Sequence, residues 1–134
     1  MRMKLLGTEH PDTLLSMGNL ARTYHFQGKF DEAEQLEVQV LDMRKKLLGA
    51  GHPDTLISMD NLASTYCDQG KFDVAEQLQV QVFDMRKKLL GTEHPDTLSS
   101  MVDLASTYHY QGKFHEAEQL EVQLEKKCVI SSAM

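Results

Sequence analysis

The chain has no tryptophan, three prolines and two cysteines in 134 residues. Two cysteines cannot form the disulfide framework that staples small secreted domains. Cys67 is therefore read as a small helix residue ahead of a reactive thiol. No apolar run approaches the roughly 20 residues that span a bilayer, and no signal-peptide pattern is present. A cytoplasmic location and no membrane partner are expected. Basic residues are outnumbered, 14 to 20, for a net charge of −6. That balance argues against nucleic acid, which needs a clustered basic footprint. The cations that do cluster, Arg44-Lys45-Lys46 and Arg86-Lys87-Lys88, fall where predicted helices close, and there they favour the negative end of the macrodipole.

What the chain does have is a period. The string His-Pro-Asp-Thr-Leu begins at His10, His52 and His94, at equal intervals of 42 residues. A fixed period in this range marks stacked supersecondary units, each too small to bury its apolar face alone. Within residues 7–48, Leu14, Met17, Leu20, Ala21 and Tyr24 form one stripe on a helix over Thr13 to Gln27, here helix A. Pro11 suits its first turn, Asp12 suits its positive end, and His10 falls at or before the cap. Gly28 ends it in a left-handed conformation. A second stripe, Phe30, Ala33, Leu36, Val40, Met43 and Leu47, predicts helix B, which stops at Gly49. Small Ala21 and Ala33 let the two helices approach, with Tyr24 and Phe30 filling the wider space beside them.

The expected fold is all-α, a solenoid of three antiparallel helical hairpins in a single repeat domain over 1–134. Residues 1–6 read as the remnant of a preceding helix B, 7–48 as repeat one, 49–90 as repeat two, and 91–130 as repeat three, divergent at its end. Neither end carries a recognisable polar cap, so the end faces are candidates for homo-oligomer contacts.

The set Asn19-Leu20-Ala21, Tyr24, Gly28, Ala33 and Leu48-Gly49 resembles the tetratricopeptide repeat in its 42-residue form, typical of kinesin light chains. The wording His-Pro-Asp-Thr-Leu, Gln-Gly-Lys-Phe, Ala-Glu-Gln-Leu and Met-Arg-Lys-Lys is similar, more closely, to repeats of fungal NOD-like receptor proteins. The resemblance implies recognition of a protein or peptide in a concave groove lined mainly by helix A, with no chemistry of its own. Carried onto this chain, the groove residues are Leu15, Gly18, Asn19, Arg22, His25 and Phe26 in repeat one. They are Ile57, Asp60, Asn61, Ser64, Cys67 and Asp68 in repeat two, and Ser99, Val102, Asp103, Ser106, His109 and Tyr110 in repeat three.

Comparison of the copies points to the same face. Within helix A, repeats one and two differ only at Leu15/Ile57, Gly18/Asp60, Arg22/Ser64, His25/Cys67 and Phe26/Asp68. These positions step by three, four, three and one, so they share a side of the helix. Polar positions of helix B, such as Glu34, Gln35 and Gln39, hardly change, which uniform surface drift would not produce. A specificity-determining face is the favoured explanation.

Chaperone-tail binding, which in this family clamps a terminal carboxylate with lysines, arginine and asparagines, is disfavoured. The matching positions hold Gly18, Arg22, Asn61, Ser99 and Asp103. Asn19 and Asn61 suit the main chain of an extended peptide, and Asp60 with Asp68 suits a basic centre in it. The three periodic histidines lie one per repeat, too far apart to share a metal, and no nucleophile–base pair or phosphate loop stands out. No enzyme activity, metal or cofactor is therefore expected. The reading is a peptide-binding scaffold segment of a larger protein. Its rival is a structural unit that self-associates through its ends.

Overall fold

The computed structural model describes the backbone of residues 11–133 and the side chains of residues 12–127. The His10 cap and the helix remnant at 1–6 lie outside them. All described secondary structure is helical: α1 (Pro11–Phe26), α2 (Phe30–Leu48), α3 (Pro53–Asp68), α4 (Phe72–Leu90), α5 (Pro95–Tyr110) and α6 (Phe114–Ala133). They fall into two compact units, one ending at Gly70 with α1 to α3, the other starting at Lys71 with α4 to α6.

The starts of α3 and α5 follow from one device. His52 takes an extended conformation, and its ring Nδ1 accepts the backbone N–H of Asp54 at 3.1 Å; His94 does the same for Asp96 at 3.0 Å. A proline at the next position gives up an N–H that had no partner in a first turn. The expected capping role of the periodic histidines holds for His52 and His94. At the other end of α1, Gly28 has φ of 78°, and Lys29 donates its N–H back to the Tyr24 carbonyl at 2.8 Å. This six-to-one closure needs a left-handed residue where a side chain would be strained.

In the first unit α2 packs against both α1 and α3, so it buries two faces. Its Val40, with Leu36 and Met43 at the margin, packs on Leu14 and Met17 of α1, and Ala21 and Ala33 are fully enclosed. These are the expected stripes, except that Leu20 of α1 is 42% exposed and Leu47 is 47% exposed in the final turn of α2. The second face steps from Glu34 to Glu37, Leu41 and Arg44, a spacing of three, four and three. It holds α3 with polar groups. Arg44 donates to Ser58 Oγ at 2.6 Å, Thr65 Oγ1 donates to Glu37 Oε1 at 2.6 Å, and Gln69 donates to Asp31 and Glu34 at 2.9 Å each. Glu34 is thus a receiving residue for the next helix A, which explains its constancy without appeal to an outer surface.

The second unit repeats the scheme between α4 and α5. Arg86 donates to Ser100 at 2.8 Å, Gln111 to Asp73 at 2.8 Å and Lys113 to Glu76 at 2.8 Å. Arg86 is only 8% exposed. Arg44 and Arg86, assigned from sequence to the helix-end charge, are instead the pins between successive hairpins, while Lys45, Lys46, Lys87 and Lys88 stay at the surface.

Candidate functional site

Helix A alternates between a face sunk into the hairpin and a face left open, and the expected groove residues fall on the open one. Leu14, Met17 and Ala21 of α1 are buried, whereas Leu15, Asn19, Arg22 and Phe26 are exposed and Gly18 and His25 lie between. On α3, Ile57, Asn61, Ser64 and Asp68 are exposed, with Asp60 and Cys67 half-buried. On α5, Ser99, Val102, Asp103, Ser106, His109 and Tyr110 are all exposed. Large apolar groups stand in water here, Phe26 at 80% and Tyr110 at 72% exposure. Folding gains little from such placements, since burial is what stabilises apolar surface.

The first unit gathers six of these residues around one concavity of about 140 Å³: Gly18, Arg22, His25 and Phe26 from α1, and Asn61 and Ser64 from α3. Two further lining residues, Glu37 and Thr65, had not been expected. Glu37 belongs to helix B and reads in the sequence as one more surface carboxylate. The only sequence signal is that it changes to Gln79 in repeat two. In the fold it is 9% exposed at the floor of the concavity, and burial raises its pKa above the ordinary carboxylate value. The Thr65 hydrogen bond and the nearby His25 act in the opposite direction, with smaller effect. A smaller neighbouring recess shares Gly18, Glu37 and Asn61 and continues to Arg44 and Ser58.

His25 and Asp68 close one end. His25 Nε2 lies 2.5 Å from Asp68 Oδ2, and since an ionised carboxylate only accepts, the ring donates. The His25 ring also meets Phe30 and Phe26 edge-on, at centroid distances of 5.2 and 6.0 Å. Asp68, assigned from sequence to a ligand's basic centre, thus already has a partner within its own unit. In the second unit His109 pairs with Glu121 of α6 at 3.2 Å, and Tyr110 stacks on Phe72 at 5.2 Å, nearly parallel. Asp103, although its side chain reaches water, has its carboxyl pKa raised by partial desolvation, with Arg86 acting against the shift.

Models of the tetratricopeptide repeat match residues 13–54, 38–88 and 54–124. The chain belongs to the tetratricopeptide-repeat family. These matches run across both units, and the fold is the all-α solenoid class of that family. No curated protein is similar enough to this chain to count as a match. Among solved structures, two forms of a Podosopora anserina protein of nearly identical tetratricopeptide-like repeats, provisionally assigned to the kinesin light chains, are similar. They share 34% and 35% identity, with TM-scores of 0.89 and 0.87. The alignments cover 99% and 97% of this chain but 63% and 62% of theirs, so this tetratricopeptide chain spans under two thirds of those relatives. BtubC (BKLC) from P. vanneervenii, at 21% identity over 94% of this chain and 50% of its own, has the same fold with a TM-score of 0.84. Tetratricopeptide repeats of this kind mediate protein–protein interactions.

Proposed function

We propose that this repeat segment binds an extended peptide of a protein partner on the open faces of its A helices, with the α1–α3 concavity of the first unit at the centre. The observation that carries this reading is an overlap of two sets. Of the ten helix A residues at which the first two copies differ, Gly18, Arg22, His25, Phe26 and Ser64 line one concavity, while Leu15, Ile57, Asp60, Cys67 and Asp68 lie outside its lining. Asn61 beside them offers both a donor and an acceptor to a peptide main chain. Half-buried Asp60 supplies an acidic neighbour for a basic side chain. Within the second unit, the exposed α5 residues Val102, Ser106 and Tyr110 form a separate candidate surface. A scaffold role of kinesin-light-chain type draws on the likeness to the Podosopora anserina repeats.

Selection of random phage-displayed peptides on the immobilised chain tests it. A consensus is expected from the wild type, and none from Arg22→Glu/Asp60→Lys/Asp68→Lys at an unchanged circular-dichroism spectrum. The exposed His25–Asp68 pair lost in that variant costs at most about 1 kcal/mol of stability. Equal enrichment on both chains would exclude the A-helix face as the binding surface.

A further inference from the structure

Gly18 sits in the middle of α1, where glycine weakens a helix relative to alanine. Close packing does not require it. A Cβ built at this position meets no atom within 4 Å. The same register of the repeat carries Asp60 and Val102, so the helix tolerates a side chain there. What the missing side chain does is leave open both recesses that Gly18 lines together with Glu37.

Glu37 is enclosed, yet among the described residues its one hydrogen-bond donor is Thr65, at Oε1. A carboxylate offers about four lone-pair sites, so acceptor capacity is left over for a ligand N–H. Around it the polarity reverses: the Arg22 guanidinium donates only, and the Asn61 amide can donate as well as accept. A ligand carboxylate would face Glu37, and a ligand cation would face Arg22. A neutral group with an N–H₂ at one end and a C=O at the other satisfies both. The size agrees, since about 140 Å³ is close to the roughly 150 Å³ cavity that holds one benzene molecule.

We propose that the concavity beneath Gly18 is a specificity pocket for the side-chain carboxamide of a glutamine or asparagine in an extended peptide lying on α1 and α3. The amide N–H₂ donates to Glu37, and its carbonyl accepts from Arg22 or Asn61. This rests on the peptide-binding reading above and adds to it the identity of one ligand side chain. Discrimination follows from the cost of leaving a buried carboxylate facing an apolar or acidic side chain.

The test repeats the peptide selection on Gly18→Leu and on Glu37→Gln, with folding checked by thermal melts. The wild type should enrich glutamine or asparagine at one position of the consensus at least tenfold over the library. Gly18→Leu, which fills the recess, should lose that preference while keeping the flanking residues of the consensus. In Glu37→Gln, whose amide can donate as well as accept, the preference should relax toward acidic residues. A consensus without an amide position, or with lysine or arginine there, overturns the pocket and leaves the peptide-binding reading standing. An amide preference that survives in Gly18→Leu overturns it equally. Failure of the wild type to enrich any peptide refutes both.

Discussion

Glu37 is where burial and charge pull against each other most directly. Its carboxyl pKa is raised above 4.5 chiefly by desolvation, so the folded chain holds that proton more tightly than the unfolded chain does. The sign of the pH effect follows. The contribution of this group is full below the unfolded carboxylate range and is lost as pH rises through the raised folded value. Glu37→Gln keeps an acceptor for Thr65 and removes the charge. Relative to wild type the variant should gain stability as pH rises from 4.5 to neutrality, as measured by urea unfolding at a series of pH values. A wild-type-to-variant difference that does not change with pH would show that Glu37 pays no desolvation cost. The cost was invisible in the sequence because the stripe Glu34, Glu37, Leu41, Arg44 looks like a solvated helix face until a second helix A is laid over it.

At the scale of the element, the helices themselves were legible. The apolar stripes, the His-Pro start and the glycine stop each have a local cause, and α1 to α5 begin and end within two residues of where those signals put them, whereas α6, which has no glycine stop, runs to Ala133, past the end at 130 expected for repeat three. The second buried face of helix B was not legible, because it is polar and its partners lie on another helix. Arg44 and Arg86 show the consequence, each reaching a serine fourteen residues further on. Hydrogen bonds to charged groups contribute about 1.5–3 kcal/mol, and more of that is lost when water cannot replace the partner. Ser100→Ala, facing the buried Arg86, should therefore lower the unfolding free energy by about 2 kcal/mol. Ser58→Ala, facing the half-buried Arg44, should lower it by about 1 kcal/mol. Denaturant melts of the two single variants measure the difference, and the reverse order would contradict the role given to burial.

For the whole molecule, the decisive comparison is between α6 and its counterparts α2 and α4. The face that receives a following helix A carries Asp31, Leu41 and Arg44 in α2 and Asp73, Phe83 and Arg86 in α4. In α6 the same register carries His115, Glu125 and Cys128. The acceptor, the apolar residue and the pin are all exchanged. This face is therefore a poor seat for another hairpin of the same kind, which weighs against end-to-end assembly. Light scattering across a wide concentration range should show no ladder of growing oligomers, and such a ladder would restore the assembly reading. The candidate site, by comparison, was half legible. The open face of helix A could be read from the differences between copies, but its floor could not, since Glu37 and Thr65 come together only when α3 closes over α2.

The most direct test of peptide recognition is an amide hydrogen-exchange footprint of the chain with and without its selected peptide. Protection concentrated on α1 and α3, around Gly18, Arg22, Asn61 and Ser64, is the predicted result. Protection confined to the outer surface of α2 or to α6, with α1 and α3 unchanged, would contradict it.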